Sequence, residues 1–297
     1  MKKKILVVGG TGFIGFHICK YFLKKKWSVS SISLSPPKKI RKLDKIRYFF
    51  ANISKIDSLK FLNNLDFDFV INCGGYVDHS SKQNNLNNHF YGCKNLYKIF
   101  SKKKINKFIQ IGSSSEYGLA KSPQKENLKG FAKDNYGKPK LDASNFLKCK
   151  RDFPYIILRL YQVYGPNQDS NRLIPFVIRS CLQNKSFPCS EGKQYRDFLY
   201  IDDFLIAINK CFKKKTKSNQ IFNIGYGKPM KLKKIILNIC KDIKKGQPEF
   251  GKIHLRKNEQ MVIYPSVKKA KKILGWQPKT NIKKGISKTI RYYKTIS

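Results

Sequence analysis

The chain begins MKKKILVVGGTGFIG, and the glycines at positions 9, 12 and 15 constrain what it can fold into more than any other feature. The run Ile5–Val8 is short, continuous and apolar, which reads as a buried strand, and Phe13–Lys25 follows with apolar residues at helical spacing. A strand that turns on glycines directly into a helix is the context that a dinucleotide fingerprint demands. In such a turn Gly9 permits the tight bend, Gly12 lets the backbone approach a pyrophosphate, and Gly15 lets helix lie close on strand. The phosphates would then meet the free N–H groups and the positive end of the helix. The spacing is G-x-x-G-x-x-G, one residue off the common G-x-G-x-x-G. A glycine triplet alone also suits an ordinary tight turn, so the rest of the chain decides.

Short β-rich runs continue to alternate with longer helical patterns. Strands are expected at Val29–Leu34, Ile46–Ile53, Phe69–Asn72, Phe108–Ser113 and Tyr155–Leu160. Helices are expected at Ile56–Leu65, Asn84–Lys102 and Tyr136–Lys150. Apolar strands covered by helices imply a parallel, doubly wound α/β sheet of the Rossmann type. After Gly165-Pro166 the rhythm loosens: Leu173–Gln183 looks helical, Arg196–Tyr200 and Gln220–Ile224 look like strands, and two helices finish the chain. The expected organisation is a nucleotide-binding domain over 1–165, with return segments near 195–225, and a smaller, partly interleaved α/β domain over 166–297.

Composition removes several alternatives. At 297 residues and 41% hydrophobic content the chain can bury a full core. Its 62 Lys and Arg against 18 Asp and Glu give a formal charge of +44, which invites a nucleic-acid reading. The excess is lysine, scattered as pairs and triples such as Lys24–Lys26 and Lys213–Lys215, with no basic tail and no arginine-rich recognition helix. No specific nucleic-acid or membrane partner is expected. Eight dispersed cysteines, with no C-x-x-C and no cysteine–histidine cluster, exclude a metal site of familiar spacing. They read as small buried hydrophobes of a reducing compartment, so a cytoplasmic location is expected. The first apolar run is too short for a signal peptide, and no window nears the roughly 18 apolar residues of a membrane span.

Two segments carry candidate chemistry. In NYGKPKL, Tyr136 and Lys140 stand four apart, on one face of a helix. A phenol is a poor base at neutral pH, but a nearby ammonium favours the phenolate and suits Tyr136 to proton transfer. In IGSSSEYG, Ser113 and Ser114 end a predicted strand, where doubly wound sheets bind ligands. A hydroxyl there can hydrogen-bond a substrate oxygen beside Tyr136.

Together these residues resemble the extended short-chain dehydrogenase/reductase family, in its NAD-dependent epimerase/dehydratase group acting on nucleotide sugars. The same order of motifs continues through VINCGG (70–75), NNHFYGCKNL (87–96), RLYQVYGP (159–166), YRDFLYIDD (195–203), FNIGYG (222–227) and KKAKKILGWQP (268–278). The resemblance implies Tyr136 as acid/base, Lys140 as its electrostatic partner and ribose ligand, and Ser113 as the catalytic hydroxyl, with Ser114 as fallback. It implies a cofactor lined by Gly9, Thr11, Gly12, Phe13, Ile14, Gly15, Ser33, Asn52, Ile53, Cys73 and Gly74. It further implies diphosphate contacts from Arg196 and Arg256, a nucleotide-sugar substrate and a homodimer. Because Tyr136, Lys140 and Ser113 are all present, a decayed, cofactor-sensing regulator is disfavoured.

The departures narrow the chemistry. Dehydratases of the family carry a carboxylate where this chain has Ser115, with Glu116 one position later, and reductases that also epimerise at carbons 3 and 5 carry a cysteine there. Hydride chemistry at one carbon, usually carbon 4, remains. Asn52 replaces an aspartate that commonly meets adenine, and Gln162 an asparagine before VYGP. The second strand ends Ser33-Leu34-Ser35, then Pro36-Pro37-Lys38-Lys39, without the acid that bonds a ribose 2′-hydroxyl. Ser33, Ser35, Lys38 and Lys39 are read as donors to a 2′-phosphate, so NADP is expected over NAD, and a 4-keto nucleotide-sugar reductase narrowly over a 4-epimerase.

Overall fold

Strand β1, Lys4–Val8, lies at the centre of the computed structural model, which describes residues 2–75, 81–255 and 259–296. Its residues from Ile5 onward are buried, because helices cover both faces of the sheet around it. β1 pairs in parallel with β2 (Ser28–Ser33) on one side and with β4 (Phe69–Asn72) on the other. With β3 (Arg47–Phe50), β5 (Lys107–Ser113), β6 (Tyr155–Leu160) and the strand Gln220–Ile224, these make one seven-stranded parallel sheet. Chain order runs outward from β1 through β2 to β3, then reverses at β4, β5 and β6 and ends on Gln220–Ile224. The fold is therefore of the Rossmann type, and the reversal between β1 and β4 opens a crevice at the C-terminal strand ends.

Helix α1, Phe13–Lys24, leaves β1 through the glycine turn and buries Phe13, Phe16, Ile18, Cys19 and Phe22 against the sheet. One core fills that side and runs on into the C-terminal part of the chain; a second lies on the opposite face, under Gly92–Phe100 and Gly137–Lys148.

Local departures have physical causes. The predicted helix over 56–65 is a 3-10 helix, Ile56–Asn64. The predicted helix Asn84–Lys102 passes through a π-turn at Leu86–Tyr91, which carries His89 into the interior. The predicted strand Arg196–Tyr200 is two strands, Tyr195–Arg196 and Phe198–Tyr200. Asp197 separates them: its buried carboxylate accepts the backbone N–H groups of Tyr226 and Gly227 at 2.6 Å each. Tyr195–Arg196 joins Met230–Lys231 and Val262–Ile263, whereas Phe198–Tyr200 pairs with Gln162–Tyr164. The helix Ile201–Cys211, which follows directly, has no counterpart in the sequence reading.

Beyond the large sheet lie the helices Leu173–Leu182, Leu232–Ile243 and Ile282–Lys294 and the paired strands Ser186–Cys189 and Gln247–Phe250. Trp276 of the GWQP segment is buried and donates its indole N–H to the Asp203 carbonyl at 2.9 Å, which ties the C-terminal segment to Ile201–Cys211.

Candidate active site

A cavity of about 800 Å³ occupies the crevice. At its floor the glycine turn divides its three glycines by cause. Gly9 has φ +80°, and a Cβ there would lie 2.7 Å from the Cys73 carbonyl oxygen. A Cβ on Gly15 would overlap the Gly9 carbonyl. Both are glycines for the fold's own reasons. Gly12 is not: a Cβ there would meet nothing closer than the Gly9 oxygen at 3.4 Å, yet the residue lines the cavity. Its bare backbone leaves the cavity open at this point. Gly12 caps α1 without a side-chain hydrogen bond, and the first turn carries no acid, so the helix's free N–H groups and positive end are left for an anion. A dinucleotide pyrophosphate fits that cradle.

The other cofactor positions converge here. Thr11, Phe13, Ile14, Ser33, Ile53, Cys73 and Gly74 line the same cavity. Asn52 does not; its side-chain oxygen turns back to accept from the Ser54 N–H at 2.9 Å and the Ser54 hydroxyl at 2.8 Å. Ser33 is buried, and its hydroxyl accepts the Thr11 N–H at 3.3 Å. Ser35 lines the cavity, and Lys38 pairs at 2.9 Å with Asp169, which lines it as well. The same Asp169 oxygen takes the buried guanidinium of Arg41 at 2.9 Å.

Ser113, Tyr136 and Lys140 also line the cavity. Ser113 ends β5, and its hydroxyl accepts the Ser115 N–H at 3.1 Å, capping the 3-10 turn Ser114–Tyr117. Tyr136 sits at the N-terminus of the helix Gly137–Lys148, where Asp134 accepts the Tyr136 and Gly137 backbone N–H groups at 3.1 and 2.8 Å. The Tyr136 ring meets His89 edge-on, centroids 5.3 Å apart. Lys140 donates to the Ile111 carbonyl at 2.9 Å.

Burial pushes the Tyr136 phenol up to about 12; its hydrogen bond with Ser113 and the charge of Arg172 act in the opposite direction. Burial also brings Lys140 down to about 8. The expected lowering of Tyr136 is not found: burial outweighs the groups that favour its phenolate, Ser113 and Arg172, and Lys140, at about 8, remains an ammonium at neutral pH.

The substrate residues are less simply arranged. Ser114 lines the cavity beside Ser113. Arg196 does not. It is buried, donates to the Tyr195 and Met261 carbonyls at 2.9 and 3.3 Å, and pairs with Glu259, which does face the cavity. A guanidinium this dry requires such company, and Glu259 supplies it. Arg256 lies outside the described residues. Sequence reasoning missed Arg172, Asp169 and Gln168, which line the cavity from the run after Gly165-Pro166, and also His89 and Glu259. His89 lies within the NNHFYGCKNL motif but was not singled out, and no quoted motif contains the other four.

Glu116 is spent inside the protein. One oxygen accepts the Ser113 N–H and the other the Arg159 Nε–H, each at 2.8 Å, and neither Glu116 nor Arg159 reaches solvent. Among the described residues no group of His, Cys, Asp or Glu is arranged to hold a metal, and no helix is long and apolar enough to cross a membrane.

The whole chain is similar to known proteins. The chain is 29% identical to a putative UDP-glucose 4-epimerase of Methanocaldococcus jannaschii over 98% of each chain. It is 28% identical to the human dTDP-D-glucose 4,6-dehydratase, over 98% of this chain and 90% of that one. Its fold matches a Thermotoga maritima UDP-glucose 4-epimerase solved with UDP-glucose, with TM-score 0.92, 22% identity and 99% of each chain covered. It also matches a Bacillus cereus UDP-glucuronic acid 4-epimerase solved with UDP-glucuronic acid and NAD, with TM-score 0.89, 25% identity and all of both chains covered. Residues 5–225, which contain the glycine turn, Ser113, Tyr136 and Lys140, match the model of one family. With its cradle and its Ser–Tyr–Lys cluster set at the switch point of the sheet, the chain belongs to the NAD dependent epimerase/dehydratase family.

Proposed function

We propose that this enzyme is a nucleotide-sugar 4-epimerase that holds NAD through the catalytic cycle. The observation that carries the choice lies at the end of β2. Of the groups read as partners of a 2′-phosphate, the Lys38 ammonium is already paired with Asp169, which Arg41 also holds. An unmodified ribose needs no such donors. This favours NAD over the NADP expected from the sequence, and a retained NAD favours an epimerase over a 4-keto reductase. The 4-epimerases among the similar proteins support the same reading, and by analogy the substrate is a UDP-hexose.

NAD, when bound, would supply a hydride acceptor and a positive charge that favours the phenolate of Tyr136. Tyr136 takes the proton of the sugar 4-hydroxyl as carbon 4 is oxidised and returns it when the sugar is reduced from its other face. Ser113 donates its hydroxyl hydrogen to the sugar oxygen, since its lone pair already accepts from the Ser115 N–H. Lys140, anchored on Ile111, presents its remaining donors to the ribose. Ser115 offers no carboxylate, and Glu116 is fully occupied, so a dehydratase's second proton transfer has no free base at this turn. Arg196 stands behind Glu259, and a substrate diphosphate engages it by replacing that carboxylate.

The test is incubation with UDP-glucose, UDP-glucuronic acid and their 4-epimers without added cofactor. Interconversion of an epimer pair supports the proposal. Turnover only of a 4-keto sugar nucleotide, and only with added NADPH, overturns it.

A further inference from the structure

The buried pair Glu116–Arg159 is a poor way to stabilise a fold. Its two oppositely charged groups are 0% and 3% exposed in their side chains, where the cost of drying them competes with their attraction. Arg159 Nη1 finds no hydrogen-bond acceptor among the described residues, which adds to that cost. Apolar side chains of similar volume would serve stability as well. The pair's connections show what else it does.

Glu116 Oε1 accepts the backbone N–H of Ser113 at 2.8 Å, while the Ser113 hydroxyl accepts the N–H of Ser115 at 3.1 Å. The carboxylate and the serine thus clasp each other across one turn, a reciprocal capping box. Glu116 Oε2 is held by Arg159 Nε at 2.8 Å. Arg159 stands directly opposite Gly112 in the β5–β6 register, one residue before Ser113. Gly112 is bare for this reason: a Cβ there would overlap Glu116 Oε1 and lie 3.3 Å from Arg159 Cγ. The Arg159 guanidinium in turn lies over the Tyr117 ring, 4.4 Å from its centroid, and the Tyr117 hydroxyl donates to Asn223 Oδ1 at 2.8 Å. The backbone that carries Ser113 is therefore bolted to the neighbouring strand β6 and, through Tyr117, to the strand Gln220–Ile224.

We infer that Glu116, held by Arg159, is a positioning residue that fixes the Ser113 hydroxyl in line with Tyr136 and the reacting sugar oxygen. Neither member of the pair lines the cavity, so both act only through Ser113. The inference rests on Ser113 and Tyr136 being the catalytic pair. Misplacement of a reacting group by about 1 Å can cost on the order of 100-fold in rate, and that is the scale at which such a clasp acts.

A double-mutant cycle on the NAD-loaded enzyme, with UDP-glucose as probe substrate, tests it. Glu116→Gln cannot accept from both Ser113 and Arg159, and kcat should fall by about 10- to 100-fold. KM for the sugar nucleotide should stay within about threefold, because no contact of uniform binding is removed. In a Ser113→Ala background the same Glu116→Gln change should alter kcat by less than about twofold, since there is no hydroxyl left to aim. Equal losses in both backgrounds, or a Glu116→Gln enzyme of full activity, overturn the inference. Full activity of Ser113→Ala alone overturns the catalytic assignment as well, which separates the two failures. Should Glu116→Gln not fold, the charge-neutral pair Glu116→Gln/Arg159→Met enters the same cycle and is judged by the same two ratios.

Discussion

Lys140 Nζ lies 6.0 Å from the centroid of the Tyr136 ring and spends one donor on the Ile111 carbonyl at 2.9 Å. The two side chains share a dry pocket in which burial raises the phenol to about 12 and lowers the ammonium to about 8. Burial thus leaves the phenol neutral, while Lys140 at about 8 is still an ammonium at neutral pH. Tyr136→Phe removes only the hydroxyl and leaves the ring against His89. Turnover should drop by about 10²- to 10⁴-fold, the scale of general acid–base catalysis, with NAD affinity nearly unchanged by calorimetry. Activity within a few-fold of the unaltered enzyme would remove Tyr136 from its role.

The ionisation of Lys140 sets a second expectation. Below pH about 8 it is an ammonium with donors for the ribose; above that it is neutral. The kcat/KM of the enzyme should therefore fall as pH rises through about 8, and Lys140→Arg should abolish that limb. The stability consequence has the opposite sign. Between about 8 and 10.5 the unfolded chain binds the proton that the folded chain has lost, so this group makes stability rise through that window. The rise should be missing from Lys140→Met in denaturant titrations compared across pH. A pH–rate limb unmoved in Lys140→Arg would assign it to another group.

The glycine turn predicts two kinds of failure from one kind of substitution. Gly12→Ala meets nothing closer than 3.4 Å in the protein, so its melting temperature without cofactor should stay within about 2 °C. Its affinity for NAD should fall at least about tenfold, the methyl standing where the pyrophosphate approaches. Gly15→Ala drives a methyl into the Gly9 carbonyl and should cost about 1–3 kcal/mol of stability, as overpacking does. Thermal melts and NAD titrations of the two variants decide the point. A Gly12→Ala protein that binds NAD normally contradicts the cradle.

Lys38 pairs with Asp169 and is itself largely exposed. Lys38→Ala should leave the ratio of NAD to NADP affinity within about twofold and barely change stability, as expected of an exposed ion pair. A selective loss of NADP binding would show that Lys38 leaves Asp169 for a 2′-phosphate and would revive the reductase reading.

What was legible in the sequence was local. The glycine turn, the Ser113 strand end and the Tyr136–Lys140 spacing each occupy a few consecutive residues, and the structure brings them into one cavity. The alternation of apolar strands with helices was enough for the Rossmann sheet, because both faces are covered and no strand had to be distinguished by its exposed side. The pairs that tune the site were not legible: Arg41 with Asp169, Arg196 with Glu259 and Glu116 with Arg159 join residues far apart in the chain, and no periodicity links them. The break at Asp197 was hidden for the same reason, since its backbone partners, Tyr226 and Gly227, belong to a later loop. Asn52 was assigned to the cofactor by position alone, whereas its own Ser54 offers nearer donors.

In a 4-epimerase the hydride that leaves carbon 4 returns to it through one enzyme-held cofactor. The most direct measurement uses UDP-glucose deuterated at carbon 4, with purified protein and no added cofactor. If the account is right, the 4-epimer forms with deuterium retained at carbon 4, and unlabelled NADH in solution does not dilute it. No epimer without added NADPH, or a product whose carbon 4 carries hydrogen from added cofactor, would contradict it.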